Sequence, residues 1–157
     1  IKAVQNPGHC FSFRGLSFGV KDDVLYVRLL SGRKLAYHQP RVHRDVTPWG
    51  KEVSKLTYMG MDSVTKQWVR IDTYGGKLCE NVVQATARDI LAEALINADA
   101  AGYDPVMHIH DEMVTEVDES FGSIEELERI MATLPEWCKD WPIKAAGGWR
   151  GKRYRKD

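Results

Sequence analysis

The chain has no apolar run approaching the ~20 residues of a membrane-spanning helix. Its N-terminus also lacks the charged-then-apolar layout of a secretory signal, and these two absences predict a cytoplasmic protein that engages no membrane. Cysteine is scarce: Cys10, Cys79 and Cys138 stand far apart, are odd in number and form no C-x-x-C pair. A disulfide framework and a zinc knuckle are thereby excluded, and the three are read as buried or reduced thiols. Low-complexity stretches and internal repeats are absent as well, so most of the length should fold. Net charge is missing too, since 22 Lys and Arg offset 22 Asp and Glu. That balance argues against a free-standing nucleic-acid binder, because phosphate recognition usually shows as a basic excess.

The charge that is present is sorted along the chain. Arg28, Arg33, Lys34, Arg41 and Arg44, with His38 and His43 between them, make one basic region, and the tail WRGKRYRKD makes another. Residues 116–128 gather Glu116, Asp118, Glu119, Glu125, Glu126 and Glu128. Taken alone, each cluster reads as a solvated face. A length of 157 residues with ordinary hydrophobic content predicts a single domain, residues 1–157, with a real core. Ile1 rather than Met opens the chain, which is expected to be a piece of a longer one.

Strand signals dominate the first half. VLYVRLL and RKLAY flank Ser31-Gly32, and SKLTYMGM and QWVRIDTY are joined around Asp62-Ser63, which predicts two hairpins separated by a linker punctuated by Pro40 and Pro48. From Gly75 the period changes to about 3.6, predicting the longest helix. Its apolar stripe is read as Val83, Ala87, Ile90, Leu91, Ala94, Leu95 and Ala98, with Lys77, Asn81, Gln84 and Arg88 on another side. Gly102 and Pro105 supply its stop. After short strands in VMHIHDEMVTEV, the capping box Ser123-x-x-Glu126 opens a second helix that ends at Pro135, and PIKA reads as an edge strand. The fold class is therefore α+β, an antiparallel β-sheet with helices packed on one face.

The stretch HIHDEMVTEV allows two chemistries. As one continuous strand it would put His108, His110 and Glu112 on one face, a start toward a zinc or iron centre and a His-based metal-dependent hydrolase. If the chain instead reverses at His110-Asp111-Glu112, two carboxylates crowd a hairpin tip, and a cation would relieve their repulsion. Hard oxygen ligands of this kind suit magnesium, which takes one or two carboxylates plus substrate phosphates. A surface turn with merely soluble acids is the plain structural reading.

TYGGKLCENVVQATARDILAEAL, then AGYDPV, then HIHDEMVTEV resembles the C-terminal palm region of family A DNA polymerases, the DNA polymerase I family, most closely its bacteriophage and prophage members. RLLSGRKLAY is similar to a leucine-proline-serine-glycine-arginine segment of the phage-type enzymes, with Leu30 where proline is common, and LPEWCKDWPIKAAGGWRGKRYRK resembles their ending. The resemblance implies that Asp111 holds catalytic magnesium, two ions in the intact enzyme, and that Glu112 supports the metal site. It implies also that His110 lies near the primer terminus and that Gln84 contacts the minor groove of the nascent pair. Glu80 stands where the family often has asparagine, with Asn81 one place later; Asn81 and Arg88 join Gln84 as the DNA-facing residues of that helix. Minor-groove acceptors occur at every base pair, so such donors sense pair geometry rather than sequence.

No segment resembles the family's upstream motif with the first metal-binding aspartate, nor its nucleotide-gripping fingers helix. Asp22-Asp23 reads as a polar turn. The expectation is thus part of a DNA-directed DNA polymerase, inactive as an isolated fragment. Its partners would be primer-template DNA, deoxynucleoside triphosphates and the remainder of the polymerase chain, with the basic tail and the Arg28–Arg44 region touching phosphates. A non-catalytic duplex DNA-binding module is the alternative besides the hydrolase.

Overall fold

The structure, a computed structural model, describes residues 1–46 and 48–154. After a single helical turn, α1 (Lys2–Gln5), six strands follow as an antiparallel meander: β1 (Cys10–Phe13), β2 (Leu16–Lys21), β3 (Val24–Arg28), β4 (Lys34–Val46), β5 (Glu52–Met61) and β6 (Trp68–Thr73). Then come α2 (Gly75–Ala100), the hairpin of β7 (Asp104–Ile109) and β8 (Glu112–Glu116), and α3 (Ile124–Met131). The protein is α+β with antiparallel sheets, as its periodicities indicate. Two compact units, Ile1–Gln84 and Ala85–Asp157, subdivide the single domain expected from length, and α2 runs from one into the other. Among the described residues no helix is long and apolar enough to cross a membrane.

Turn chemistry sets the meander's register. Asp22 and Asp23 link the Lys21–Val24 pair with φ of 52° and 58°, the positive values a type I′ turn needs. Between β5 and β6, the Asp62 carboxylate accepts from the Val64 and Thr65 amides and the Thr65 hydroxyl. Alternation then sends Leu25, Val27, Tyr37 and Leu56 to one face, where Ala3 of α1 and Leu78 and Val82 of α2 close the core. Each large apolar side chain fully buried there contributes about 1.5–3 kcal/mol.

The expected linker at Pro40 is not one. β4 continues through it to Val46, and pairing with β5 slips between His38 and Arg41. Proline cannot donate to a ladder, so it sits in a bulge, where Gln39 takes a φ of 46° and its carbonyl accepts from the Arg70 guanidinium at 3.0 Å. Thr47 lies outside the described residues.

In the second unit Ala94, Ala98, Tyr103 and Met113 form the core, with Leu127, Ile130 and Met131 of α3 against them. Ala98 has no exposed surface, so these small residues let neighbouring chain approach α2 closely. The helix ends in a Schellman motif: Tyr103 N–H donates to the Ala98 carbonyl and Gly102 N–H to that of Asp99, with Gly102 at φ 87°. The inward stripe of α2 differs from the apolar reading in its first half. Val83 and Ala87 are exposed, whereas Val82, Ala85 and Thr86 turn inward. Apolarity alone misjudged that turn, because small or polar residues such as Ala85 and Thr86 are buried there in place of the valine.

Only half of the capping box forms. The Ser123 hydroxyl accepts from Glu126 N–H at 3.0 Å, but the Tyr103 hydroxyl occupies the other half. It accepts from Ser123 N–H at 3.0 Å and donates to the Glu126 carboxylate at 2.8 Å. PIKA forms no strand; a short 3-10 turn at Glu136–Cys138 precedes it.

Candidate functional site

The chain reverses at His110 and Asp111, between the paired residues Ile109 and Glu112. His110 has a φ of 55°, a conformation costly for most side chains but several-fold enriched in histidine. Asp111 and His110 are exposed at the tip, and Glu112, the first residue of β8, is half-buried. The turn breaks the continuous strand that would align His108, His110 and Glu112 on one face. Among the described residues no three His, Cys, Asp or Glu side chains gather to hold a metal. The histidine-based reading thus has no gathered ligand set among the described residues.

Of the two adjacent carboxylates, Asp111 is the one open to solvent, where a magnesium ion that keeps most of its waters could be held. Glu112 has another engagement, because the Tyr154 hydroxyl donates to its carboxylate at 3.3 Å. Lost hydration, and then the charge of Glu112, holds the Tyr154 phenol above its ordinary range, so it remains a protonated donor.

Tyr154 reaches Glu112 because the tail is strapped down. Arg150 donates to the carbonyls of Asp118, Phe121 and Gly122 at 2.8–3.3 Å. Gly148 N–H donates to the Glu128 carboxylate at 3.0 Å, and Lys152 pairs with Glu119 at 3.4 Å. The basic tail thus spends Arg150 and Lys152 on the protein's own acidic segment rather than presenting them as a phosphate-binding arm; Arg155 and Lys156 lie outside the described residues. Tyr154 and Arg150 were missed by sequence reasoning. The opposite charges of the tail and residues 116–128 were the available signal, and they were read as separate solvated faces.

On α2, Gln84 and Arg88 are exposed one turn apart. Asn81 is half-buried, and its amide donates to the Tyr37 hydroxyl at 3.1 Å. Burial pushes that phenol up, and the bond from Asn81 works against the shift. Asn81 therefore ties α2 to the sheet, while Glu80 beside it pairs with Lys77 at 2.9 Å. Asp111, Glu112, His110 and Arg88 belong to the second unit, and Asn81 and Gln84 to the first.

Over all its 157 residues the chain is 44% identical to a DNA polymerase of Bacillus phage SP02, of which it spans 24% of the length. Neither a protein-family profile nor a solved structure matches it.

Proposed function

We propose that this chain is the C-terminal palm region of a phage-type or prophage-type family A DNA polymerase. The observation that carries the reading is the 44% identity to a phage DNA polymerase over the whole chain, and a hairpin tip offering Asp111 to solvent supports it. The substrates would be primer-template DNA and deoxynucleoside triphosphates. Two bound magnesium ions would activate the primer 3′-hydroxyl for attack on the α-phosphate and neutralise charge as pyrophosphate leaves. Asp111 holds the metal side of the site, and Glu112, steadied by Tyr154, supports it. His110 and Gln84 present donors to the duplex minor groove, Arg88 follows Gln84 on the exposed face of α2, and Asn81 acts by fixing that helix. The second metal-binding aspartate comes from the remainder of the polymerase chain, so the isolated chain is inactive.

Primer extension tests this on the chain alone and on a longer chain reaching upstream, each with and without Asp111→Ala. Extension is expected only from the longer chain, and Asp111→Ala should lower it by about a thousandfold or more, the scale of several kcal/mol of lost charge stabilisation. Undiminished extension by the Asp111→Ala protein would overturn the assignment.

A further inference from the structure

Among the described residues the hydrophobic core cluster packs on one face of the six-stranded sheet. Register pairs Arg28 with Lys34, Tyr26 with Ala36, His38 with Met59, and Met59 with Arg70, so these residues share the opposite face. The bulge at Gln39-Pro40 preserves that arrangement. Without it, alternation from His38 would send Val42 to this face and Arg41 to the core; with it, Arg41 pairs with Thr57 and continues the line of His38.

The face is basic, with rings interleaved. Arg28, Lys34 and Arg41 are exposed, and Arg70 is held in place by its bonds to the Gln39 carbonyl and the Thr57 hydroxyl. Its acids are Asp45, already ion-paired with Lys55, and Asp72. Trp68 is 55% exposed, with the exposed His38 ring 5.8 Å away, and the Lys34 ammonium lies 5.6 Å over the Tyr26 ring. A tryptophan left open among cations has no role in the core. Cations neutralise phosphates, and open rings stack on bases only when those bases are unpaired.

We propose that this outer face binds single-stranded DNA, with phosphates on Arg28, Lys34, Arg41 and Arg70 and bases stacked on Trp68 and His38. The choice of DNA rests on the polymerase reading, within which the occupant is an unpaired template segment rather than the duplex at the hairpin. From β3 to β6 the face spans three strand spacings, about 14 Å, enough for a few nucleotides.

The test is fluorescence anisotropy of a labelled oligodeoxythymidylate of about 12 nucleotides with the 157-residue chain. An abasic strand of equal charge and a duplex serve as comparisons, with no metal or nucleotide present. Binding should favour the thymidylate over both. Four phosphates at about 0.7 each predict a slope of log K against log salt near −3. Trp68→Ala should weaken binding by roughly tenfold, and Trp68→Phe should restore most of it, which separates stacking from a folding defect. Lys34→Ala with Arg41→Ala should flatten the slope by about 1.4. Equal binding of the abasic strand, preference for the duplex, or a folded Trp68→Ala protein that binds as well as the parent would overturn the proposal. A negative result here leaves Asp111 untouched, and a failure of primer extension leaves this face to be judged by binding alone.

Discussion

His110 and Tyr103 show opposite uses of a single side chain. His110 holds a left-handed backbone at the hairpin tip, which costs a non-glycine residue about 1–2 kcal/mol. Such a conformation persists where the surrounding structure fixes it, as the β7–β8 turn does here. His110→Gly is expected to leave stability unchanged or raise it by up to about 1 kcal/mol in denaturant unfolding, while lowering extension by the longer chain. A clear loss of stability would mean that the imidazole supports the fold. Tyr103 is 3% exposed, and its hydroxyl serves both Ser123 and Glu126. Tyr103→Phe should cost about 1–3 kcal/mol, because it removes a hydroxyl on a buried ring that bonds both the Ser123 amide and the Glu126 carboxylate; a melting temperature equal to the parent's would contradict this. The tip was legible in part: the residues around His-Asp-Glu left a continuous strand and a turn both open, and the resemblance to a polymerase hairpin chose the turn. Tyr154 was not legible, since its partner Glu112 lies 42 residues away and no local pattern encodes a tail folding back.

At the scale of elements, legibility followed whether one rule or two competed. The β5–β6 hairpin was readable because Asp62 and its neighbours have turn chemistry and the flanking strands alternate. The continuation of β4 was not readable, because proline normally ends a strand, while the bulge that absorbs Pro40 is bonded by Arg70, a residue from β6. The Asp62 clasp makes a pH-dependent prediction. Backbone and hydroxyl bonds from Thr65, then the amide of Val64, lower the carboxyl's pKa from 3.8. A depressed folded-state pKa stabilises above the unfolded value and loses that contribution as pH falls through the folded one. Asp62→Ala should therefore lower the melting temperature at neutral pH, and the difference from the parent should shrink steadily below pH about 4. A difference independent of pH would show that the loop depends on something other than this charge.

For the whole molecule, antiparallel α+β architecture was legible from the switch between periods of two and about 3.6, while the division at Gln84 was not, because α2 carries one unbroken helical pattern through it. Zero net charge pointed away from nucleic acid, yet Arg28, Lys34, Arg41 and Arg70 share one face of the sheet through β4 and its bulge, an arrangement that a sum over residues conceals. The meander has a kinetic consequence. Every strand from β1 to β6 pairs with its neighbour in the chain, so no distant loop must close before any pairing forms, and topologies built from such short-range contacts cross their folding barriers quickly. A ribosome adds residues at about 5–20 per second. The pairing of β1 to β6 can therefore form early in synthesis, before β7 and β8 have paired with each other.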